Sequence, residues 1–139
     1  GEPVVHKSIG DLKTGEAICL IKGESTAILT TGAMLKYAYD FIIENNLNYG
    51  LYSYPFIKPI DEKALKKISS DYNNVITIEE HQRSAGFGSA ILECLNDLTE
   101  RNEISSIPRV KRIAIPDKFI HVAGSQDHLR KLSGLILKI

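Results

Sequence analysis

The sequence carries no surplus of either charge: seventeen Lys and Arg stand against seventeen Asp and Glu, for a formal net charge of zero. No long-range positive field gathers nucleic-acid phosphates or anionic lipid, so nucleic acid is a poor first expectation. No apolar run approaches the ~18–20 residues a membrane helix needs, and no charged-then-apolar leader opens the chain. A soluble, cytoplasmic protein is expected. Cysteine is scarce: Cys19 and Cys94 are the only two, far apart and without a second pair of ligand spacing. Both read as reduced core residues, and any bridge between them would be an addition to the fold and not its foundation. His6, His121 and His128 are isolated and fit no metal-ligand spacing. Internal repeats and low-complexity tracts are missing too.

What is present suits one globular domain. The chain has 139 residues, 43% hydrophobic and 24% charged, within the ordinary range for a single core of about 100–150 residues. It starts at Gly1 and not Met, and the first residues show no clear periodicity, which suggests a piece of something longer.

Two short apolar runs, Ala17–Ile21 and Ser25–Thr31, read as strands separated by the turn at Lys22-Gly23-Glu24. The second is almost free of charge, as for a strand covered on both faces. Gly32 ends it. Met34, Leu35, Ala38, Phe41 and Ile42 then recur at helical spacing, with a stop at Asn45-Asn46. Tyr49–Tyr54 reads as a third strand, and Pro55 through Pro59 break it before Asp61 caps a helix with the inner stripe Ala64, Leu65, Ile68 and Tyr72. Val75–Glu79 is a fourth strand, followed by a glycine-bearing loop and a helix carrying Ala90, Ile91, Cys94, Leu95 and Leu98 on one face. Val110–Ile115 forms a fifth strand, and Ser125 caps a last helix that runs through Leu132 to Gly134.

Alternation of strand and helix favours right-handed crossovers into one mostly parallel sheet. The expected fold is a three-layer α/β/α sandwich around five strands. The first strand is joined to the second by fewer than the dozen or so residues of a parallel crossover, and is expected to run antiparallel to the rest.

Ligands of open α/β sheets gather at the carboxyl ends of strands, which points to Thr30-Thr31-Gly32-Ala33 and to Glu79-Glu80-His81 with the loop to Ser89. A Thr-Thr-Gly turn before a helix offers hydroxyls and N–H groups to a phosphate, but threonines ending a buried strand before a glycine turn are common without one. An acidic phosphorylation cluster would need carboxylates where Thr30 and Thr31 stand. Gly86-Phe87-Gly88-Ser89 lacks the third glycine of the dinucleotide fingerprint, and its glycines suit close approach to a neighbouring element. Glu79, Glu80 and His81 are acid/base residue types, yet adjacent strand residues face opposite sides and make no ready triad. The plainer expectation is a solvated strand end whose charges bind the following loop or a second subunit.

The run Val75–Glu79, continuing Glu80-His81-Gln82-Arg83-Ser84-Ala85-Gly86-Phe87-Gly88-Ser89-Ala90-Ile91-Leu92-Glu93, resembles the C-terminal domain of transketolases. That family shows an apolar strand ending in two acids and often histidine, a short loop, a glycine pair, one residue, a further glycine and a helix. Three other stretches agree in order: Ile28–Met34, Ile57–Asp61 and Arg112–Phe119. The similarity spans roughly residues 9–135, with Ala85 departing where the family usually has the first glycine of the pair. The same domain closes 1-deoxyxylulose-5-phosphate synthase and the beta subunits of 2-oxoacid dehydrogenases, and the histidine after the two acids favours transketolase among them.

The resemblance implies a five-stranded mixed sheet with one antiparallel edge strand. It also implies a division of labour. In the parent enzymes thiamine diphosphate and Mg are held by a diphosphate-binding and a pyrimidine-binding domain, for ketol transfer between sugar phosphates in carbohydrate metabolism. Residues 1–15 would link to a preceding pyrimidine-binding domain, and 16–139 would pack against it and help form a homodimer. On this view Thr31, Gly32, Glu79, Glu80, His81, Gly86, Gly88 and Ser89 are interface or loop residues and not catalysts. A reading of another class is an autonomous ligand-binding or interaction module, using the crevice at Thr31-Gly32 and Gly86.

Overall fold

The structure, a computed structural model, describes residues 15–55, 59–80 and 86–115. Five strands and three helices alternate along it: β1 (Ile18–Ile21), β2 (Ser25–Thr30), α1 (Leu35–Glu44), β3 (Gly50–Ser53), α2 (Glu62–Asp71), β4 (Tyr72–Glu80), α3 (Phe87–Glu100) and β5 (Arg109–Ile115). A 3-10 turn, Gly32–Met34, leads into α1. The last helix expected from Ser125 lies outside the described residues, as do His6, His81, Ala85, His121 and His128.

The strands form one sheet in the order β1-β3-β2-β4-β5. All neighbours run parallel except β1, which pairs antiparallel with β3 at the edge. β1 and β2 are consecutive in sequence yet β3 lies between them. The three residues joining them make this jump because Gly23 presses against the main chain of Tyr49 and Gly50, where a Cβ would collide. The Glu24 N–H donates to the Asn48 carbonyl at 2.8 Å and fastens the turn there.

The pleat sorts the side chains of the sheet into two cores. Ile28, Leu51, Ile76, Ile78, Ile113 and Ile115 face the layer of α1, whose Leu35, Ala38, Phe41 and Ile42 complete the first cluster. Ala27, Leu29 and Val75 face α2 and α3, and pack with Leu65, Ile68, Ile91, Leu95 and Leu98 in the second. Each large aliphatic side chain buried this way contributes about 1.5–3 kcal/mol. Helices on both faces give the expected three-layer α/β/α sandwich.

The helix ends follow from local chemistry. Asp61 caps α2, its Oδ1 accepting from the Ala64 N–H at 3.1 Å, while Oδ2 accepts from the Ala17 N–H at 2.8 Å and ties the chain before β1 to this helix. α1 and α3 end alike: Asn46 and Asn102 take left-handed φ of 51° and 59°, and the next residue, Leu47 or Glu103, returns its N–H to Ile42 or Leu98.

Two expectations need correction. Tyr72 is not on the inner stripe of α2: it is the first residue of β4, with extended φ −129° and ψ 142° directly after the helix. Its spacing from Ile68 suits a helix, and Asn73-Asn74 are poor strand formers that hide the strand's start. Cys94 is a buried core residue, but Cys19 is exposed on the edge strand.

Candidate functional site

β2 and β4 are the sheet's central neighbours, and the chain leaves them toward opposite faces, β2 into α1 and β4 into α3. Their carboxyl ends frame the crevice where such sheets bind ligands. Thr30 and Thr31 are buried on the β2 side, and Gly32 is exposed at the start of the 3-10 turn. The Met34 N–H donates to the Thr31 carbonyl at 3.1 Å, while the Thr31 side chain does not cap the turn.

On the β4 side the two acids separate as the pleat requires. Glu79 continues the face of Val75 and Thr77; Glu80 continues that of Ile76 and Ile78. The structure replaces the expected solvated strand end: Glu79 is 8% exposed and Glu80 2%. Glu79 turns its carboxylate onto the first turn of α3, with Oε2 accepting from the Phe87 N–H at 3.3 Å and Oε1 from the Gly88 N–H at 3.2 Å. These are backbone donors that a helix start leaves without partners, and the positive end of the helix dipole favours the negative charge. Glu79 therefore binds the first turn of α3, where the following loop or a second subunit was expected.

Gly86 stands at the helix N-cap with φ 96°, a left-handed conformation that suits glycine. Gly88 answers a different need. A Cβ there would lie 2.8 Å from Arg112 Cδ and 3.0 Å from Thr77 Oγ1, so α3 reaches the sheet only because this residue has no side chain. Beside it Ser89 is exposed, and Arg112 of β5 donates from Nη1 to its Oγ at 3.0 Å. The close approach expected of these glycines is made onto β4 and β5 by Gly88, whereas a Cβ at Gly86 would meet nothing within 4 Å. Phe87 is buried against Tyr54, with ring centroids 5.6 Å apart.

Sequence reading overlooked Tyr54, Thr77 and Arg112. Tyr54 is 1% exposed, and burial, with a smaller contribution from the Asp61 charge, pushes its phenol well above the ordinary range. Among the described residues the Tyr54 hydroxyl, Thr30 Oγ1 and Thr77 Oγ1 have no hydrogen-bond partner. Their signal in the sequence was slight, since a hydroxyl at the end of an apolar strand is commonplace. Arg112 was detectable in principle as a long side chain opposite a glycine-bearing helix start.

The arrangement does not suit a diphosphate at α3. The anion site that this helix start offers is filled by the Glu79 carboxylate, which would repel a second anion. Nor do the described residues bring three His, Cys, Asp or Glu side chains together in a group able to hold a metal ion. No described helix is long and apolar enough to cross a membrane.

Residues 15–137 match the family model of the transketolase C-terminal domain. A 1-deoxy-D-xylulose-5-phosphate synthase of Clostridium perfringens (strain 13 / Type A) is 32% identical over 133 residues, covering 93% of this chain and 20% of that protein. One from Parabacteroides distasonis is 34% identical over 127 residues, covering 89% of this chain and 19% of the relative. The chain thus spans about a fifth of the length of these curated relatives. Among solved structures, a split-gene transketolase described as an inactive beta4 tetramer superposes with a TM-score of 0.69 at 24% identity, over 99% of this chain and 45% of that one. That likeness concerns the fold, and it agrees with the sheet order and layers described above. A family model matched from the start of the described residues to nearly the last residue of the sequence decides the assignment: the chain belongs to the family of transketolase C-terminal domains.

Proposed function

We propose that this domain is the non-catalytic packing and dimerisation module of a transketolase-like, thiamine-diphosphate-dependent enzyme, whose cofactor and Mg are held by diphosphate- and pyrimidine-binding domains elsewhere in the same enzyme or in a partner subunit. Residues 1–15 then link to the pyrimidine-binding domain. The observation that carries the reading is the use made of Glu79: the best-placed acid at the carboxyl end of the sheet is buried, and both its oxygens are engaged by the backbone of α3 and not turned toward a substrate. Gly32, Gly86 and Ser89, exposed near the carboxyl ends of β2 and β4, offer the rim of the sandwich to the neighbouring domain.

The parent reaction is read as ketol transfer between sugar phosphates. A second reading has its own support, since the relatives described above are 1-deoxy-D-xylulose-5-phosphate synthases. Assaying the parent enzyme for ketol transfer beside formation of 1-deoxy-D-xylulose 5-phosphate separates the two. The packing role is tested on the 139-residue chain with thiamine diphosphate and Mg: neither reaction is expected, and turnover by this chain alone would refute the reading.

A further inference from the structure

Arg109, Lys111 and Arg112 fall within four residues of β5, an edge of the described sheet, and β5 carries no acid. With Asn74, Val75 and Ile76 of β4 they line a hollow of about 390 Å³ across the amino ends of these two strands. The register sets Asn74 beside Arg109 and Ile76 beside Lys111. Ile76, buried on the same face as Asn74, Arg109 and Lys111, forms its apolar floor, while Arg112 turns to the opposite face and reaches Ser89. This place lies at the opposite end of β4 from Glu79 and from the crevice considered above.

Arg109 and Lys111 differ from four of the other described cations, while Lys22 and Lys63 likewise form no ion pair among the described residues. Lys36, Lys66, Lys67 and Arg101 each meet a carboxylate within 3.1 Å. Among the described residues neither Arg109 nor Lys111 forms an ion pair, and Arg112 donates to the neutral hydroxyl of Ser89. Charges on an edge strand also deter edge-to-edge pairing, but either sign serves that purpose and no concavity is needed for it. A concave site within the ~300–1,000 Å³ range of small-molecule pockets, with Arg109, Lys111 and Asn74 on one face and no acid among its described lining residues, is complementary to an anion of several oxygens. Guanidinium groups match phosphate oxygens in planar pairs, and grouped like charges in a concavity reinforce one another's field.

We propose that this hollow binds the phosphate group of a small phosphorylated metabolite. The proposal is independent of the packing role and stands or falls separately from it. The test is a titration of the isotope-labelled 139-residue chain with inorganic pyrophosphate at low salt, followed by amide ¹H–¹⁵N spectra. Saturable shifts at Asn74–Ile76 and Arg109–Arg112 are expected, with millimolar or tighter affinity, weakening about tenfold or more at about 0.5 M salt. The R109Q/K111Q double variant should lose about tenfold in affinity while keeping a dispersed spectrum. If it does not fold, K111Q alone should lose severalfold. No saturation by about 20 mM pyrophosphate, shifts confined to Thr31-Gly32 or Gly86–Ser89, or affinity unchanged in the folded variant would each overturn the proposal.

Discussion

Oε1 of Glu79 lies 3.2 Å from the amide nitrogen of Gly88, so the end of β4 holds the first turn of α3. Glu79→Ala would leave the N–H groups of Phe87 and Gly88 buried without an acceptor. A loss of about 2–3 kcal/mol is expected, with about 1 kcal/mol for Glu79→Gln, which keeps an oxygen but no charge. Urea unfolding at constant slope measures both, and faster hydrogen exchange at Phe87 and Gly88 should accompany them. An unchanged midpoint in Glu79→Ala would remove the cap from the account of this fold.

Two glycines should respond in opposite ways to one added methyl group. Gly88→Ala drives a Cβ against Arg112 and Thr77 and is expected to cost about 1–3 kcal/mol. Gly32→Ala meets nothing within 4 Å and carries no left-handed φ, so stability should hold or rise by about 0.5 kcal/mol. Thermal melts of the pair suffice, and equal losses would contradict the packing described for α3.

Asp61 serves two elements, capping α2 through the Ala64 N–H and accepting from the Ala17 N–H before β1. Asp61→Ala should cost about 1–2 kcal/mol and speed exchange in β1 more than in β2. Uniform acceleration across the sheet would argue against the local tie.

Raising the pH above 9.0 should destabilise the domain through Cys94. Burial, with the nearby Glu62 and Asp97 carboxylates adding to it, pushes the Cys94 thiol up to about 11 from the ordinary 9.0. Burial also raises the phenols of Tyr52 and Tyr54 above 10.0. Between the unfolded and folded thiol values the unfolded chain has released the Cys94 proton while the folded chain retains it, so stability present below pH 9.0 is lost as pH climbs toward 11. The decline should reach about 1–2 kcal/mol by the upper value and be shallower in Cys94→Val. A midpoint that stays level through this window would contradict the burial of the thiol.

Much of the fold was legible because its strands and helices have different periods. The Met34–Ile42 and Ala90–Leu98 stripes and the uncharged run of β2 each found the expected place. The Asp61 cap was legible from one residue and its setting. Tyr72 was not, since a buried aromatic four residues after Ile68 suits either a helix face or the start of a strand, and only tertiary packing decides. The candidate site was less readable. Alternation along β4 correctly separated Glu79 from Glu80, but charge alone suggested solvent, and nothing local shows that a carboxylate will bend back to amides eight and nine residues later. Exposure of Cys19 was missed for a similar reason: an apolar run does not say whether its strand is central or at the rim.

The Tyr72 hydroxyl accepts from the Gly23 N–H at 3.1 Å and lies 3.2 Å from the Tyr52 hydroxyl, while its ring fills the space that the missing side chain of Gly50 leaves. One phenol thus rivets β4 to β3 and to the turn that carries the chain past it. Fraying of the margin strand would have to break this rivet before it passed the turn, so it should halt there and leave the heart of the sandwich closed.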